Sequence, residues 1–235
     1  MPISAMTQEA PVVAPVKTLV EAMTREETAT TVSHPTSVRE QELQQELETL
    51  EVVQDHLSKP ELWRRRTAYS LVTDDYRIHH LTAGTLRGDN KLGVAPALFQ
   101  STDDSQVVSV LHVGKSLCGH PNIVHGGLLA TILDEITAMT AIPNLPGKSG
   151  FTANLNINYR HPCIADQFVI AHSELTSTEG RKAFVKATLK TIEGTLLADA
   201  TALFIAPRIP VAQITEQLNQ AKAAAKTESE QQAQP

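Results

Sequence analysis

Residues 120–135 read HPNIVHGGLLATILDE and lead into an apolar run that continues to about Ile142. From Gly126 onward this run has little polar surface, which indicates one long helix enclosed by other elements. The two glycines at its start allow the backbone to approach a ligand, and the first turn of a helix presents unpaired N–H groups at the positive end of the dipole. The segment therefore predicts the centre of the fold. Taken alone, its glycine pair indicates either an anion or oxyanion site at the helix N-terminus or only a tight turn before the helix.

A single carboxylate stands out within this helix. Asp134 lies among apolar residues, where an unpaired carboxylate is costly to bury. Its neighbours on the helix surface are all small, namely Gly127, Ala130, Thr131, Ala138 and Ala141. Another group could therefore pack closely against Asp134, which we interpret as functional, whereas Glu135 fits a carboxylate at a small solvent window.

Segments with alternating polarity or many β-branched residues flank the helix and predict an antiparallel sheet. Residues 153–159, ANLNINY, alternate most clearly, with apolar side chains on one face and three asparagines on the other. The predicted strands are Ala95–Gln100, Val107–Val113, Thr152–Arg160, Gln167–Leu175, Lys182–Thr191 and Leu196–Ala206. One long helix wrapped by such a sheet predicts the α+β class.

The remaining segments predict extensions to this domain. Residues 1–37 show no sustained periodicity and predict a disordered acidic leader. Residues 38–84 predict a helical N-terminal extension, with an amphipathic helix over 38–57 and a second short helix over Glu61–Arg66, whose arginines are expected on a solvated face. The main domain is then expected over residues 85–210, followed by a helical or disordered tail over 211–235.

Composition and charge argue against several classes of function. The 235-residue chain has a formal net charge of −6, which argues against nucleic-acid binding driven by phosphate neutralisation. It contains no run of about 18 uncharged apolar residues, so no membrane span is predicted. Cys118 and Cys163 match no zinc or redox motif, and the histidines share no ligand spacing, so no metal or cofactor is expected. The cytoplasm is the expected compartment, with mitochondria as the alternative.

The spacing within the helix has a consequence for any shared site. Gly126 and Asp134 are eight residues apart, which corresponds to roughly 12 Å along a helix. One substrate carbonyl cannot contact both residues within the same chain. If both act on one substrate, a second subunit must supply one of them, and the site would straddle a dimer interface.

Together these residues resemble the hotdog-fold acyl-coenzyme A thioesterases, in particular their PaaI-like and animal THEM-type branch. The resemblance rests on His125-Gly126-Gly127, on Asp134, and on residues 152–160, TANLNINYR, and it covers about Thr85 to Pro207. It implies a hotdog fold, in which an antiparallel sheet wraps around one long central helix. It also implies a homodimer or homotetramer with composite active sites.

The activity that this resemblance implies is hydrolysis of an acyl-CoA thioester to a free carboxylic acid and CoA, as in lipid and fatty acid metabolism. Asp134 would act as general base or as nucleophile. The N–H of Gly127, with Gly126 beside it, would polarise the thioester carbonyl, and His125 would orient the thioester by a hydrogen bond. Thr152 falls where related enzymes carry a Ser or Thr that positions the water, although an ordinary strand residue is an equal alternative.

The resemblance also implies contacts with the CoA moiety, and it departs from the family pattern at one position. Arg181 and Lys182 would lie where CoA phosphates could be held, although their pattern is also typical of a charged turn. Some relatives carry Asn or Gln six residues before the histidine as an extra oxyanion donor. Here that position is Gly119, and His120 or Asn122 could take its place.

Two alternative functions remain open. The first is a hotdog dehydratase or hydratase acting on a 3-hydroxyacyl thioester, which would use a histidine paired with an acid in a different arrangement. The second is a non-catalytic acyl-CoA-binding regulatory protein whose extensions recruit a partner. The linked His125-Gly126-Gly127 and Asp134 favour hydrolysis over both. No G-x-S-x-G elbow, Walker A loop or dinucleotide fingerprint occurs, which argues against a serine hydrolase and against nucleotide-dependent chemistry.

Overall fold

The computed structural model describes residues 37–70, 72–211 and 213–221. Residues 37–207 belong to one compact unit, and the described residues from Arg208 onward belong to another, in which residues 211 and 213–221 are helical. Residues 1–36 of the predicted leader and residues 222–235 of the predicted tail lie outside the described residues. No helix among the described residues is both long enough and apolar enough to cross a membrane.

The larger unit is built from one large antiparallel sheet and one long helix. Its helices are α1 (Val38–Thr49), α2 (Glu51–Leu57), α3 (Asp74–Arg77) and α4 (Gly126–Ala141). Its strands are β1 (Trp63–Arg66), β2 (Ala97–Ser101), β3 (Gln106–Val113), β4 (Cys118–His120), β5 (Ile123–Val124), β6 (Phe151–Tyr159), β7 (Gln167–Glu179), β8 (Lys182–Thr191) and β9 (Leu196–Ile205). Seven of them form one sheet in the order β1-β2-β3-β7-β8-β9-β6, and β4 pairs with β5. A π-helical turn (Leu81–Thr85) and short 3-10 turns (Lys115–Leu117, Ile142–Asn144, Pro146–Lys148) complete the unit.

Helix α4 packs across one face of the sheet. Leu133 and Ile136 are almost completely buried, and they belong to the same apolar cluster as Val169 of β7 and Leu189 of β8. Burial of each such side chain contributes about 1.5–3 kcal/mol. The α+β class and the hotdog arrangement, a sheet wrapped around a central helix, are confirmed.

Helices α1 and α2 cover part of the other face of the sheet. Leu47 and Val53 are fully buried in a cluster with Phe99 of β2 and Phe168 of β7. The predicted single helix over residues 38–57 is wrong in one respect, because Leu50 adopts an extended conformation (φ −60°, ψ 134°) that separates α1 from α2. Both helices contribute buried residues to the same cluster on either side of this break.

The helix predicted over Glu61–Arg66 is wrong. Residues Trp63–Arg66 form strand β1, which pairs antiparallel with β2 from Trp63↔Ser101 to Arg66↔Leu98. Pairing with the free edge of β2 therefore outweighs the local helical pattern, and the predicted helical extension also contributes a strand. The arginines remain at the surface, where Arg64 pairs with Asp104 and Arg65 with Glu48.

All six strands predicted from the sequence are present, with ends shifted by a few residues. Strand β6 lies at one edge of the sheet and, among the described residues, pairs only with β9. Its register shifts between Thr152 and Asn154, and most of its residues are exposed. The predicted alternation holds, because Leu155 and Ile157 are half-buried whereas the three asparagines are exposed.

Candidate active site

The side chain of His125 caps the N-terminus of α4. Its Nδ1 accepts a hydrogen bond of 2.9 Å from the N–H of Gly127. A neutral imidazole that accepts through Nδ1 carries its proton on Nε2, so this bond determines the tautomer. Nε2 has no hydrogen-bond partner within the described part of the chain, and His125 is exposed. The helix entrance therefore presents an available Nε2–H donor. The prediction that the Gly127 N–H polarises the thioester carbonyl is wrong for this arrangement, because the imidazole of His125 already accepts that N–H.

Two glycines make room for this imidazole. A Cβ at Gly119 would lie 2.8 Å from Cδ2 of His125, and a Cβ at Gly127 would lie 2.9 Å from Nδ1 of the same ring. Side-chain atoms do not tolerate such short contacts. The ring thus lies between two glycines, and a side chain at either position would require the imidazole or the backbone to shift.

Tyr159 contacts the same helix terminus from the end of β6. Its hydroxyl donates a hydrogen bond of 3.0 Å to the carbonyl oxygen of Gly126. A Cβ at Gly126 would lie 3.5 Å from the phenol ring, so the ring packs directly on this residue. The start of α4 is consequently attached to the edge strand.

A second polar contact joins α4 to β6 further along both elements. Asp134 is half-buried in the middle of α4, and the hydroxyl of Thr152 donates a hydrogen bond of 2.9 Å to its Oδ1. The other carboxylate oxygen, Oδ2, accepts no hydrogen bond from the residues that the structure describes. The site therefore holds an oriented carboxylate with one oxygen available to a water molecule or a substrate.

The two polar contacts lie at opposite ends of β6. Thr152 is the second residue of this strand and Tyr159 the last, a separation of about 23 Å in an extended chain. One end of the strand carries the Asp134 carboxylate, and the other carries the His125 imidazole and the helix terminus. Within one chain, the structure does not bring Asp134 and His125 together.

Of the other predicted contact residues, Asn122 and Arg181 lie in turns and Lys182 begins a strand. Asn122 adopts a left-handed conformation (φ 60°) between β4 and β5, where its carbonyl accepts a hydrogen bond from the N–H of Ala165. Arg181 follows the turn at Gly180 and donates to the carbonyl of Ala206 at 2.6 Å. Lys182 is exposed at the start of β8. Its neighbour across the strands, Ile205, also pairs with Phe151, so Lys182 lies at the Thr152 end of the sheet.

Glu135 faces away from Asp134, toward the segment that precedes β2. It lines a cavity of about 40 Å³ together with Tyr69 and Thr82, and Thr82 donates a hydrogen bond of 3.3 Å to its Oε1. Burial raises the pKa of Glu135 above its ordinary value, and nearby His80 partly offsets this effect. The expected solvent window is thus a small, mostly apolar cavity.

The sequence profile of the thioesterase superfamily matches residues 121–198, the stretch that contains His125, Asp134 and Thr152. The chain contains a thioesterase-superfamily domain. The match begins just before the capped helix terminus and ends within β9, so it includes both of the polar contacts between α4 and β6.

Curated members and relatives of the superfamily align with about half or more of the chain. The acyl-coenzyme A thioesterase THEM4 of Mus musculus is 43% identical over 115 residues, which are 48% of this chain and 49% of that protein. The UPF0644 protein PB2B4.06 of Schizosaccharomyces pombe is 31% identical over 173 residues, 71% of this chain and 66% of that protein. An uncharacterized protein of Candida albicans that is named as mitochondrial is 26% identical over 141 residues, 57% of this chain and 63% of that protein. The chain thus spans about half to two thirds of the length of these relatives.

Solved structures of the superfamily are similar to part of the chain. A hypothetical thioesterase protein with coenzyme A from Streptococcus pneumoniae matches with a TM-score of 0.41 and 24% identity, over 43% of this chain and 78% of that one. Zebra fish thioesterase superfamily member 2 matches with a TM-score of 0.40 and 20% identity, over 43% and 75% of the two chains.

One residue near the site, Tyr159, has no role predicted from the sequence. Tyr159 is predicted only to share a strand face with Leu155 and Ile157, and its contact with Gly126 joins residues 33 positions apart. The only sequence signal is an aromatic residue that ends the alternating strand. The surroundings of Glu135 depend on the segment from Tyr69 to Thr82, for which the sequence shows no periodic pattern.

Proposed function

We propose that the protein is an acyl-CoA thioesterase, which hydrolyses an acyl-CoA thioester to a carboxylic acid and CoA without a metal or cofactor. The observation that carries this proposal is the Asp134 carboxylate, held by Thr152 through Oδ1 with Oδ2 left uncovered. The THEM4 relatives, which are named acyl-coenzyme A thioesterases, support the same reaction.

The chemistry follows from the two ends of β6. Oδ2 of Asp134 takes a proton from a water molecule as the water oxygen attacks the thioester carbon. The Gly127 N–H is already donated to Nδ1 of His125, so the N–H of Gly126 at the positive end of α4 and the Nε2–H of His125 stabilise the oxyanion that forms. The carbon–sulfur bond then breaks, and the departing CoA thiolate takes the proton from Asp134. A direct attack by Asp134, which would form an anhydride that water then hydrolyses, needs the same free carboxylate oxygen.

A second copy of the chain completes each site in this proposal. Gly127 and Asp134 are seven residues apart, or roughly 10 Å along α4, so one thioester carbonyl cannot reach both in one chain. Strand β6 has an open edge among the described residues, and antiparallel pairing of two such edges about a two-fold axis would bring the Thr152 end of one copy beside the Tyr159 end of the other. We therefore propose a homodimer, or a homotetramer built from it, with two composite sites.

Lys182 is the better candidate for holding a phosphate of CoA. Arg181 already donates to the carbonyl of Ala206, whereas Lys182 is exposed and forms no ion pair within the described residues. Because Lys182 lies at the Thr152 end of the sheet, its ammonium would be on the same side as the carboxylate that acts on the thioester. For the compartment, the mitochondrial name of the Candida albicans relative favours mitochondria over the cytoplasm.

The hydrogen bonds of the site favour hydrolysis over dehydration. A dehydratase would need a histidine paired with an acid, but here His125 bonds to the Gly127 amide and Asp134 bonds to Thr152. The decisive experiment is a steady-state assay of thiol release from short-, medium- and long-chain acyl-CoAs, with Asp134→Ala as the inactive variant. Dehydration would instead convert a 3-hydroxyacyl-CoA to an enoyl thioester without releasing thiol. A regulatory protein would bind acyl-CoA and release none.

A further inference from the structure

One peptide group at the start of α4 is held at both of its polar atoms. The hydroxyl of Tyr159 donates to the carbonyl oxygen of Gly126 at 3.0 Å. The N–H of Gly127, which belongs to the same planar peptide, donates to Nδ1 of His125 at 2.9 Å. The two hydrogen bonds therefore form one chain that runs from the phenol, through the peptide, to the imidazole.

Such a chain couples its members electronically. A hydrogen bond accepted by a peptide carbonyl polarises the peptide and makes its N–H a stronger donor. A stronger donor at Gly127 in turn holds Nδ1 of His125 as an acceptor and keeps the proton on Nε2. The orientation of the free Nε2–H thus depends on a side chain that does not touch the imidazole.

We propose that Tyr159 is a positioning residue for the thioesterase reaction, acting through the Gly126–Gly127 peptide on the ring and tautomer of His125. This inference rests on the proposed function, because it assigns His125 a place beside the thioester oxygen. Tyr159 would contribute to the rate by holding the donor in place before the substrate arrives.

Burial within one chain does not account for an aromatic residue at this position. Tyr159 is 54% exposed, so its ring gains little from the core, yet its hydroxyl has a defined acceptor. The strand end that carries it is fixed, because the next residue, Arg160, donates from its backbone to Leu197 and from its side chain to Asp199. A rigid support of this kind is what a positioning residue requires.

The kinetic experiment compares Tyr159→Phe with Tyr76→Phe in the full chain. Tyr76 is a matched control because it is 58% exposed and packs edge-on against His80, outside the site. Loss of one hydrogen bond that acts on the transition state should lower kcat by about 3- to 10-fold and leave KM within about twofold. Tyr76→Phe should leave both constants unchanged.

A spectroscopic experiment reads the same peptide without turnover. The sequence contains a single Gly-Gly step, Gly126-Gly127. Protein labelled with glycine carrying ¹³C at the carbonyl and ¹⁵N at the amide therefore gives one HNCO cross-peak, which reports this peptide alone. Tyr159→Phe should move its carbonyl resonance upfield, because the carbonyl loses a hydrogen bond, and Tyr76→Phe should leave it in place.

The possible results separate this inference from the proposed function. Thiol release by the wild type, together with an unchanged kcat or an unmoved cross-peak in Tyr159→Phe, would overturn the role of Tyr159 alone. Absence of thiol release from every acyl-CoA would overturn the proposed function and, with it, this role. Thermal unfolding of each variant verifies that the chain is folded, and the phenylalanine keeps the ring that packs on Gly126.

Discussion

The imidazole of His125 occupies the space that a side chain at position 119 would need, since a Cβ on Gly119 would come within 2.8 Å of its Cδ2. This contact explains why the amide side chain that some relatives carry at this position cannot be accommodated here with the ring as it stands. The absence of a side chain at Gly119 leaves the space in which the imidazole of His125 lies. The Nε2–H of His125 becomes the natural replacement for the missing amide donor.

Substitution of Gly119 tests this relationship. Gly119→Ala should displace the imidazole and lower kcat on acyl-CoA by on the order of 10-fold, because a misplaced donor stabilises the oxyanion less. Gly93→Ala is the matched control, since its Cβ would meet only Cδ1 of Leu43, at 3.4 Å. Steady-state thiol release measures both, and equal kcat values in the two variants would contradict the relationship.

Loss of the Thr152 hydroxyl should lower kcat less than loss of the Asp134 carboxylate does. Thr152→Val removes one hydrogen bond to the carboxylate and should lower kcat by about 3- to 10-fold, whereas Asp134→Asn should lower it by about 10²- to 10⁴-fold. Thr201→Val, at an exposed position on β9, and Glu135→Gln, which lines a cavity that Asp134 does not line, serve as controls and should retain activity. Wild-type turnover in Asp134→Asn would exclude both roles assigned to that carboxylate.

The buried position of Glu135 predicts a pH-dependent effect on stability. Burial raises the pKa of Glu135 in the folded protein. The contribution of Glu135 to the free energy of unfolding is therefore most favourable below the ordinary pKa of glutamate, and it is lost as the pH rises through the raised pKa. Glu135→Gln should therefore increase the melting temperature, relative to the wild type, more at pH 7 than at pH 4. A change of 1 kcal/mol corresponds to roughly 2–4 °C for a chain of this size, which thermal unfolding resolves.

A control for this effect is available at a residue with the opposite shift. A hydrogen bond from Thr191 lowers the pKa of Glu193, which is exposed. The melting temperature of Glu193→Gln, relative to that of the wild type, should consequently not increase from pH 4 to pH 7. A gain of equal size in the two variants would show that the effect arises from the net charge of the chain instead of from burial.

Complementation between two inactive variants tests the composite site. Gly127→Pro removes the amide N–H that holds the imidazole of His125 at one end of β6, and Asp134→Ala removes the carboxylate at the other. A heterodimer places both lesions in one site and leaves the second site intact, so it should recover up to about half of the activity of the wild-type dimer.

The control for complementation pairs two lesions in the same half of the site. A heterodimer of Asp134→Ala with Asp134→Asn has no intact site and should remain inactive. Both heterodimers are purified through two different tags, after the assembly of each homodimer has been verified. Absence of recovered activity in correctly assembled Gly127→Pro/Asp134→Ala heterodimers would show that each chain supplies its whole site.

Much of the fold follows from local sequence patterns, and the errors have a common cause. The apolar run from Gly126 and the alternation over residues 153–159 predict α4 and β6 because each pattern is long and repeats with one period. The sequence predicts a helix over Glu61–Arg66, where the strand Trp63–Arg66 is too short to show a period of its own. The conformation of this strand is set by pairing with β2, which is about 35 residues away and leaves no local signal.

The candidate site can likewise be predicted from the sequence only where the signal is local. Asp134 and the residues 125–127 are recognisable because a polar group or a glycine pair interrupts an apolar helix. Their placement relative to each other follows from simple helix geometry. The contacts made by Tyr159 and Gly119 depend on how β6 and β4 approach the helix terminus, which is a property of tertiary packing.

Strand β1 makes the two margins of the sheet chemically unlike. At one margin lies a strand of only four residues, three of them arginines, and short, charged strands resist further strand addition. At the other margin lies β6, nine residues long and without a charged side chain. Lateral growth of the sheet is therefore possible in one direction only, and two copies joined at β6 would turn their arginine-bearing margins outward. Such an assembly stops at a closed pair instead of extending into a polymer.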